Sequence, residues 1–111
     1  MTLRFFNTLS RSLEDFTPLV PRAVGLYTCG PTIYNRIHIG NLRTFVWEDV
    51  LCRALRYLGH RTTQVMNLTD VEDKIIRKSR ESGIPFKEYT RIYAEAFFED
   101  LATLNTMGPS R

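Results

Sequence analysis

Three consecutive stretches restrict this chain to a small set of folds. "AVGLYTC", residues 23–29, is a short apolar run that meets Gly30-Pro31. Such a run, bounded by Gly and Pro, reads as a buried strand meeting a turn. From Asn41 onward, Phe45, Val46, Val50, Leu51, Ala54, Leu55 and Leu58 recur at spacings of three and four, the period of a helix with an apolar face. Glu48 and Asp49 come early and Arg53 and Arg56 late, which suits the helix dipole; Gly59 follows as a C-terminal cap. "HRTTQVMNL", residues 60–68, is then rich in β-formers. A helix joined by short connections to a strand on either side is the unit of a parallel sheet, and its crossover is right-handed.

The flanking segments are less constrained. Residues 4–22 are loosely patterned, with a short strand starting at Phe5-Phe6 and an extended connection through "LEDFTPLVPR", where Pro18 and Pro21 oppose a helix. After the second strand, Asn67 to Asp70 makes a polar break. Val71 to Ser82 is a second helix, stopped by Gly83 and Pro85, and Phe86 to Leu104 a third. On the third, Tyr89, Ile92, Tyr93, Ala96, Phe97, Leu101 and Leu104 fall on one stripe. The order is that of the first half of a Rossmann-like, parallel-sheet nucleotide-binding domain, α/β in class. A sheet of two or three strands has an open edge that needs covering or pairing, so self-association through that edge is expected.

With 111 residues the chain is one ordinary domain or part of a larger one, and 43% apolar with 24% charged residues is a globular composition. The net charge is +3, and arginine outnumbers lysine twelve to three. Arginine's planar fork suits phosphate, so the balance is compatible with a nucleotide or nucleic-acid partner without establishing one. Two cysteines, Cys29 and Cys52, make no disulfide framework. No signal-like stretch opens the chain and no apolar run approaches a membrane span. The expectation is a reducing, cytoplasmic compartment without membrane contact.

In doubly wound sheets ligands bind beyond the carboxyl ends of the strands, and three polar groups map there. Cys29 ends the first strand, His38 to Asn41 precede the first helix, and Asn67, Thr69 and Asp70 follow the second strand. In "HIGN" the helix N-terminus favours an anion, Gly40 permits close approach to the backbone, and His38 can donate from its imidazole; the same four residues also serve as ordinary loop-to-helix punctuation. Cys29 is either a thiolate ligand for zinc or a small residue ending a strand. With Cys52 placed in the helix core and His60 at the helix end, the chain alone does not close a four-ligand zinc site. Thr69 or Asp70 would cap the second helix, and Glu72 and Asp73 would complement its dipole. Arg77, Lys78 and Arg80 read as a solvated basic end.

The stretches "CGPT", "HIGN" followed by "RTF", and "NLTDVEDKII", in this order and spacing, closely resemble the N-terminal part of the cysteinyl-tRNA synthetase family, of class I. The resemblance runs from "FFNTLSR" to "DLATLN", nearly the whole chain. It implies that cysteine and ATP give cysteinyl-adenylate and pyrophosphate, and that the cysteinyl group passes to the 3′ end of tRNA(Cys). It assigns His38, Gly40 and Asn41 to ATP, with His38 and Asn41 catalytic, and Gly30 and Thr69 to the substrate cysteine. Cys29 matches one ligand of an active-site Zn2+. "DVEDK" carries Glu72 where the family usually shows Asp. The family's other zinc ligands and its Lys-Met-Ser-Lys-Ser loop fall beyond residue 111. Residues 1–111 are thus expected to be the N-terminal half of a catalytic domain, lacking full cysteinylation activity by themselves. Two further readings are a mycothiol-pathway cysteine ligase, and a truncated module that binds a nucleotide or a partner without catalysis.

Overall fold

The structure, a computed structural model, describes residues 2–110. In chain order the elements are β1 (Arg4–Asn7), β2 (Ser12–Asp15), β3 (Ala23–Thr32), α1 (Ile39–Tyr57), β4 (Arg61–Thr69), α2 (Asp73–Ser82) and α3 (Phe86–Thr103). β1 and β2 form an antiparallel hairpin where the sequence suggested a short strand and an extended connection. The turn depends on local chemistry that apolar patterning does not register. Asn7 Oδ1 accepts the Leu9 N–H at 3.0 Å, and Arg11 takes a left-handed conformation with φ 55°, so a four-residue loop closes without a glycine. Phe5 then meets Phe16 edge to face, with ring centroids 5.4 Å apart.

β3 and β4 pair in parallel, from Ala23 opposite Arg61 to Cys29 opposite Asn67, with α1 as the crossover between them. Gly59, φ 86°, follows the last turn of α1, and the His60 N–H reaches back to the Leu55 carbonyl at 3.0 Å; this is the glycine-terminated helix end that the sequence suggested.

The end of β3 and the start of α2 differ from expectation for a common reason. Gly30-Pro31 is not a turn: β3 continues to Thr32, with a register shift between Cys29 and Thr32 that absorbs the proline's missing N–H. The Ile33 N–H then donates to the Thr69 carbonyl at 3.2 Å, which holds Thr69 in the sheet. β4 therefore runs through the polar stretch 67–69, and neither Thr69 nor Asp70 caps α2. That helix starts at Asp73 with Glu72 in the capping position and no side-chain cap. α1 starts at Ile39, two residues before expectation, because His38 supplies its cap.

The alternation along β4 buries Thr62 and Gln64 on the face toward α1, while Arg61, Thr63 and Val65 stay exposed. Leu42 and Phe45 of α1 meet Phe97 and Leu101 of α3, with Met66 and Leu68 of β4 packed against them. A second cluster joins Ile33, Ile75 and Tyr89 and clamps the β3–α1 loop between α2 and α3. The helices thus cover one sheet face, and on the other Tyr27 is 74% exposed. At the edge of β4, Gln64 exchanges bonds with the tail: the Ser110 N–H donates to the Gln64 carbonyl at 2.8 Å, and the Gln64 N–H to Ser110 Oγ at 3.2 Å. No strand lies along the other edge of β3 among the described residues.

A polar group sits inside this packing. Gln64 Nε2 donates to Thr28 Oγ1 at 3.1 Å and to Glu48 Oε2 at 3.3 Å. Burial pushes the Glu48 carboxyl above its ordinary range, partly offset by a hydrogen bond from Thr28. The folded state therefore holds this proton more tightly than the unfolded chain. The associated stability is complete below the ordinary carboxylate range and is lost as pH rises through the raised value. Glu48→Gln removes that loss. Between the ordinary carboxylate range and neutrality, the variant's urea midpoint is expected to fall less with rising pH than the parent's.

Candidate functional site

β3 and β4 run in parallel, so their carboxyl ends and the start of α1 come together at one end of the sheet. There Gly30 packs against the backbone of β4. A Cβ on it would stand 1.9 Å from the Asn67 carbonyl oxygen and 2.9 Å from Met66 Cγ, so only glycine fits. Its N–H donates to Asn67 Oδ1 at 3.3 Å. Asn67 thus places the "CGPT" bulge, and its side chain also reaches Thr69 Oγ1 at 3.5 Å.

At the start of α1, His38 adopts an extended backbone and caps the helix with its ring: Nδ1 accepts the Gly40 N–H at 3.0 Å. Gly40 makes room for the ring, since a Cβ there would lie 2.9 Å from His38 Cε1. With Nδ1 as acceptor the ring proton resides on Nε2, whose N–H is the donor available to a ligand. The Asn41 N–H is bonded to the His38 carbonyl at 2.9 Å. This helix end therefore presents an imidazole and the exposed Asn41 side chain rather than a bare row of amides.

A cavity of about 450 Å³ joins the two stretches, with Cys29, Gly30, His38 and Asn41 in its lining. Gly40 and Thr69 are not in that lining; Thr69 stands opposite Thr32, which is. Tyr34, Asn35, Arg36 and Thr44 also line it and were not singled out from the sequence. Tyr34, Asn35 and Arg36 are loop residues without periodicity, suggested only by their position between Cys29 and the helix start, whereas Thr44 lies one turn into α1. This loop is tied down from α3: the Tyr89 hydroxyl donates to the Tyr34 carbonyl at 2.8 Å, and Arg36 pairs with Asp100 at 3.3 Å.

Cys29 is exposed and Cys52 buried. Cys52 is a core residue, as expected, and burial pushes its thiol up, away from ligand chemistry. His60 lies against Phe16, ring centroids 6.2 Å apart, at the amino end of β4. Six residues of strand, about 20 Å, separate that end from Cys29. Among the described residues no three His, Cys, Asp or Glu side chains come together to hold a metal. No helix among the described residues is long and apolar enough to cross a membrane.

Residues 15–111 match the family model described as the tRNA synthetase class I (C) catalytic domain. The cysteine–tRNA ligase of Protochlamydia amoebophila is 52% identical over 103 residues, covering 93% of this chain and 22% of that protein. The one from Solibacter usitatus is 50% identical over 111 residues, covering all of this chain and 24% of the relative. That of Chlamydia pneumoniae is 55% identical over 103 residues, covering 93% and 22%. The chain thus spans under a quarter of the length of these relatives.

Proposed function

The chain belongs to the class I cysteine–tRNA ligase family, and on that premise we propose that it forms the part of such an enzyme that first receives ATP and cysteine. The observation that carries the proposal is the cavity that Cys29, Gly30, His38 and Asn41 line together. In activation, a carboxylate oxygen of cysteine attacks the α-phosphorus of ATP. The new O–P bond forms as the bond to pyrophosphate breaks, giving cysteinyl-adenylate. Positioning and charge stabilisation dominate such a step. The His38 Nε2–H is aimed by its own bond to the Gly40 N–H and donates to a phosphate oxygen; the Asn41 side chain, nearby on the first turn, is a second polar contact. Gly30, in the cavity lining, and Thr69, opposite Thr32 in the register, are the contacts for the substrate cysteine. Transfer of the cysteinyl group to tRNA(Cys) completes the reaction.

Cys29 would supply one thiolate ligand to the Zn2+ that the family implies. The metal, when bound, would recognise the substrate thiol, a soft ligand that zinc prefers over a hydroxyl. Cys29→Ser in a full-length ligase carrying this segment is expected to lower the kcat/KM preference for cysteine over serine by about 100-fold or more, read from pyrophosphate exchange with each amino acid.

The nucleotide half of the proposal is tested on the chain itself. In a 1H–15N spectrum titrated with ATP, the amides of residues 36–44 are expected to shift together, with those of β1 and β2 unmoved. Shifts confined to the hairpin, or none at millimolar ATP, would contradict it.

A further inference from the structure

Among the described residues, Arg36 is the only arginine or lysine lining the cavity between Cys29 and His38. Its guanidinium is not turned freely toward that cavity. Nη1 lies 3.3 Å from Asp100 Oδ1 and Nη2 lies 3.9 Å from Glu99 Oε2, both carboxylates on α3. Side-chain exposure is 64% for Arg36, 73% for Glu99 and 25% for Asp100, so the Glu99 pair is open to water and the Asp100 pair is open on its guanidinium side. Exposed pairs of this kind contribute little. An arginine fork on a phosphate makes shorter, charge-assisted and often bidentate bonds, and here the phosphate would lie in a concave site rather than on an open surface. A polyphosphate seated at the start of α1 would thus compete successfully for Arg36.

We propose that Arg36 is a phosphate-binding residue of this site, held in reserve by Glu99 and Asp100 and drawn off α3 when a nucleotide polyphosphate enters the cavity. The proposal rests on the nucleotide reading above and adds to it a residue and an exchange of partners. The backbone permits the swing. Arg36 sits in the loop between β3 and α1, whose neighbour Tyr34 remains anchored through its carbonyl to the Tyr89 hydroxyl at 2.8 Å, so the side chain can move while the loop stays in place. The two acids lower the affinity for the anion by occupying its partner and by repelling it. Removing the arginine and removing the acids should therefore have opposite effects, which a purely structural ion pair would not produce.

The test is calorimetric titration of the chain with ATP and, separately, with inorganic tripolyphosphate. Arg36→Ala is expected to weaken binding of both about tenfold. The pair Glu99→Gln with Asp100→Asn is expected to tighten both about threefold and to steepen the fall of binding with rising salt. All these side chains are at the surface or nearly isosteric on replacement, and circular dichroism checks that each variant is folded. Parent-like affinity in Arg36→Ala, or weaker binding in the acid-to-amide variant, would overturn this proposal and leave the nucleotide site standing. Absence of ATP binding by the parent chain would overturn both.

Discussion

Gly30→Ala is expected to destabilise the chain by at least about 3 kcal/mol, with the loss concentrated where β3 meets β4. The added methyl would fall 1.9 Å from the Asn67 carbonyl oxygen, and the obstacle is backbone in a neighbouring strand, which cannot rotate aside. Relief requires the two strands to part at Cys29 and Asn67. That breaks the Gly30 N–H bond to Asn67 Oδ1 and shifts Pro31, which is buried. Gly25, on the same strand, is the control: nothing lies within 4 Å of a Cβ there, so Gly25→Ala should stay within about 0.5 kcal/mol of the parent. Urea midpoints of the two variants give the comparison. A Gly30→Ala midpoint equal to that of Gly25→Ala would refute the close approach of the strands.

Substitutions at His38 should separate stability from activity. His38→Ala removes the acceptor for the Gly40 N–H, costing about 1 kcal/mol as cap replacements do, and also removes the Nε2–H donor. His38→Asn puts back a good capping oxygen but no donor in the place of Nε2. In a full-length ligase carrying this segment, both variants are expected to lose about 100- to 1,000-fold in cysteine-dependent pyrophosphate exchange, the range for deletion of one aimed donor to a developing negative charge. Only the alanine variant should lose stability. Recovery of exchange in His38→Asn would mean that the imidazole serves α1 alone.

The parallel unit was legible because its signals agree: the apolar run of β3, the helical period of α1 and the Gly59 stop all point to one architecture. The hairpin was not, because it rests on an Asn7 side-chain bond and a left-handed Arg11 that leave no apolar pattern. The strand through Gly30-Pro31 and the start of α2 were misplaced for a related reason. Whether Thr69 caps a helix or pairs in a sheet is decided by Ile33, 36 positions away in the chain, and local propensity contains no such information. Within the candidate site, Cys29, Gly30, His38 and Asn41 were found through motif resemblance and then seen to share one cavity. Gly40 was assigned to ligand approach, whereas its observed contact is with the His38 ring. Asn67 was placed at this end of the sheet from the sequence, but its bond to Gly30, like the pairing of Arg36 with α3, became visible only in three dimensions.

The central claim is that residues 29–41 present the cysteine and ATP subsites of a cysteine–tRNA ligase from one cavity. Its most direct test is a chimera in which this segment replaces the matching N-terminal segment of the Protochlamydia amoebophila ligase, with cysteine-dependent ATP–pyrophosphate exchange as the measurement. The predicted result is exchange within about tenfold of the recipient enzyme's own rate, a difference of about 1.4 kcal/mol, lowered about 100- to 1,000-fold by His38→Ala and restricted to cysteine. A folded chimera that binds ATP yet gives no cysteine-dependent exchange would contradict the claim.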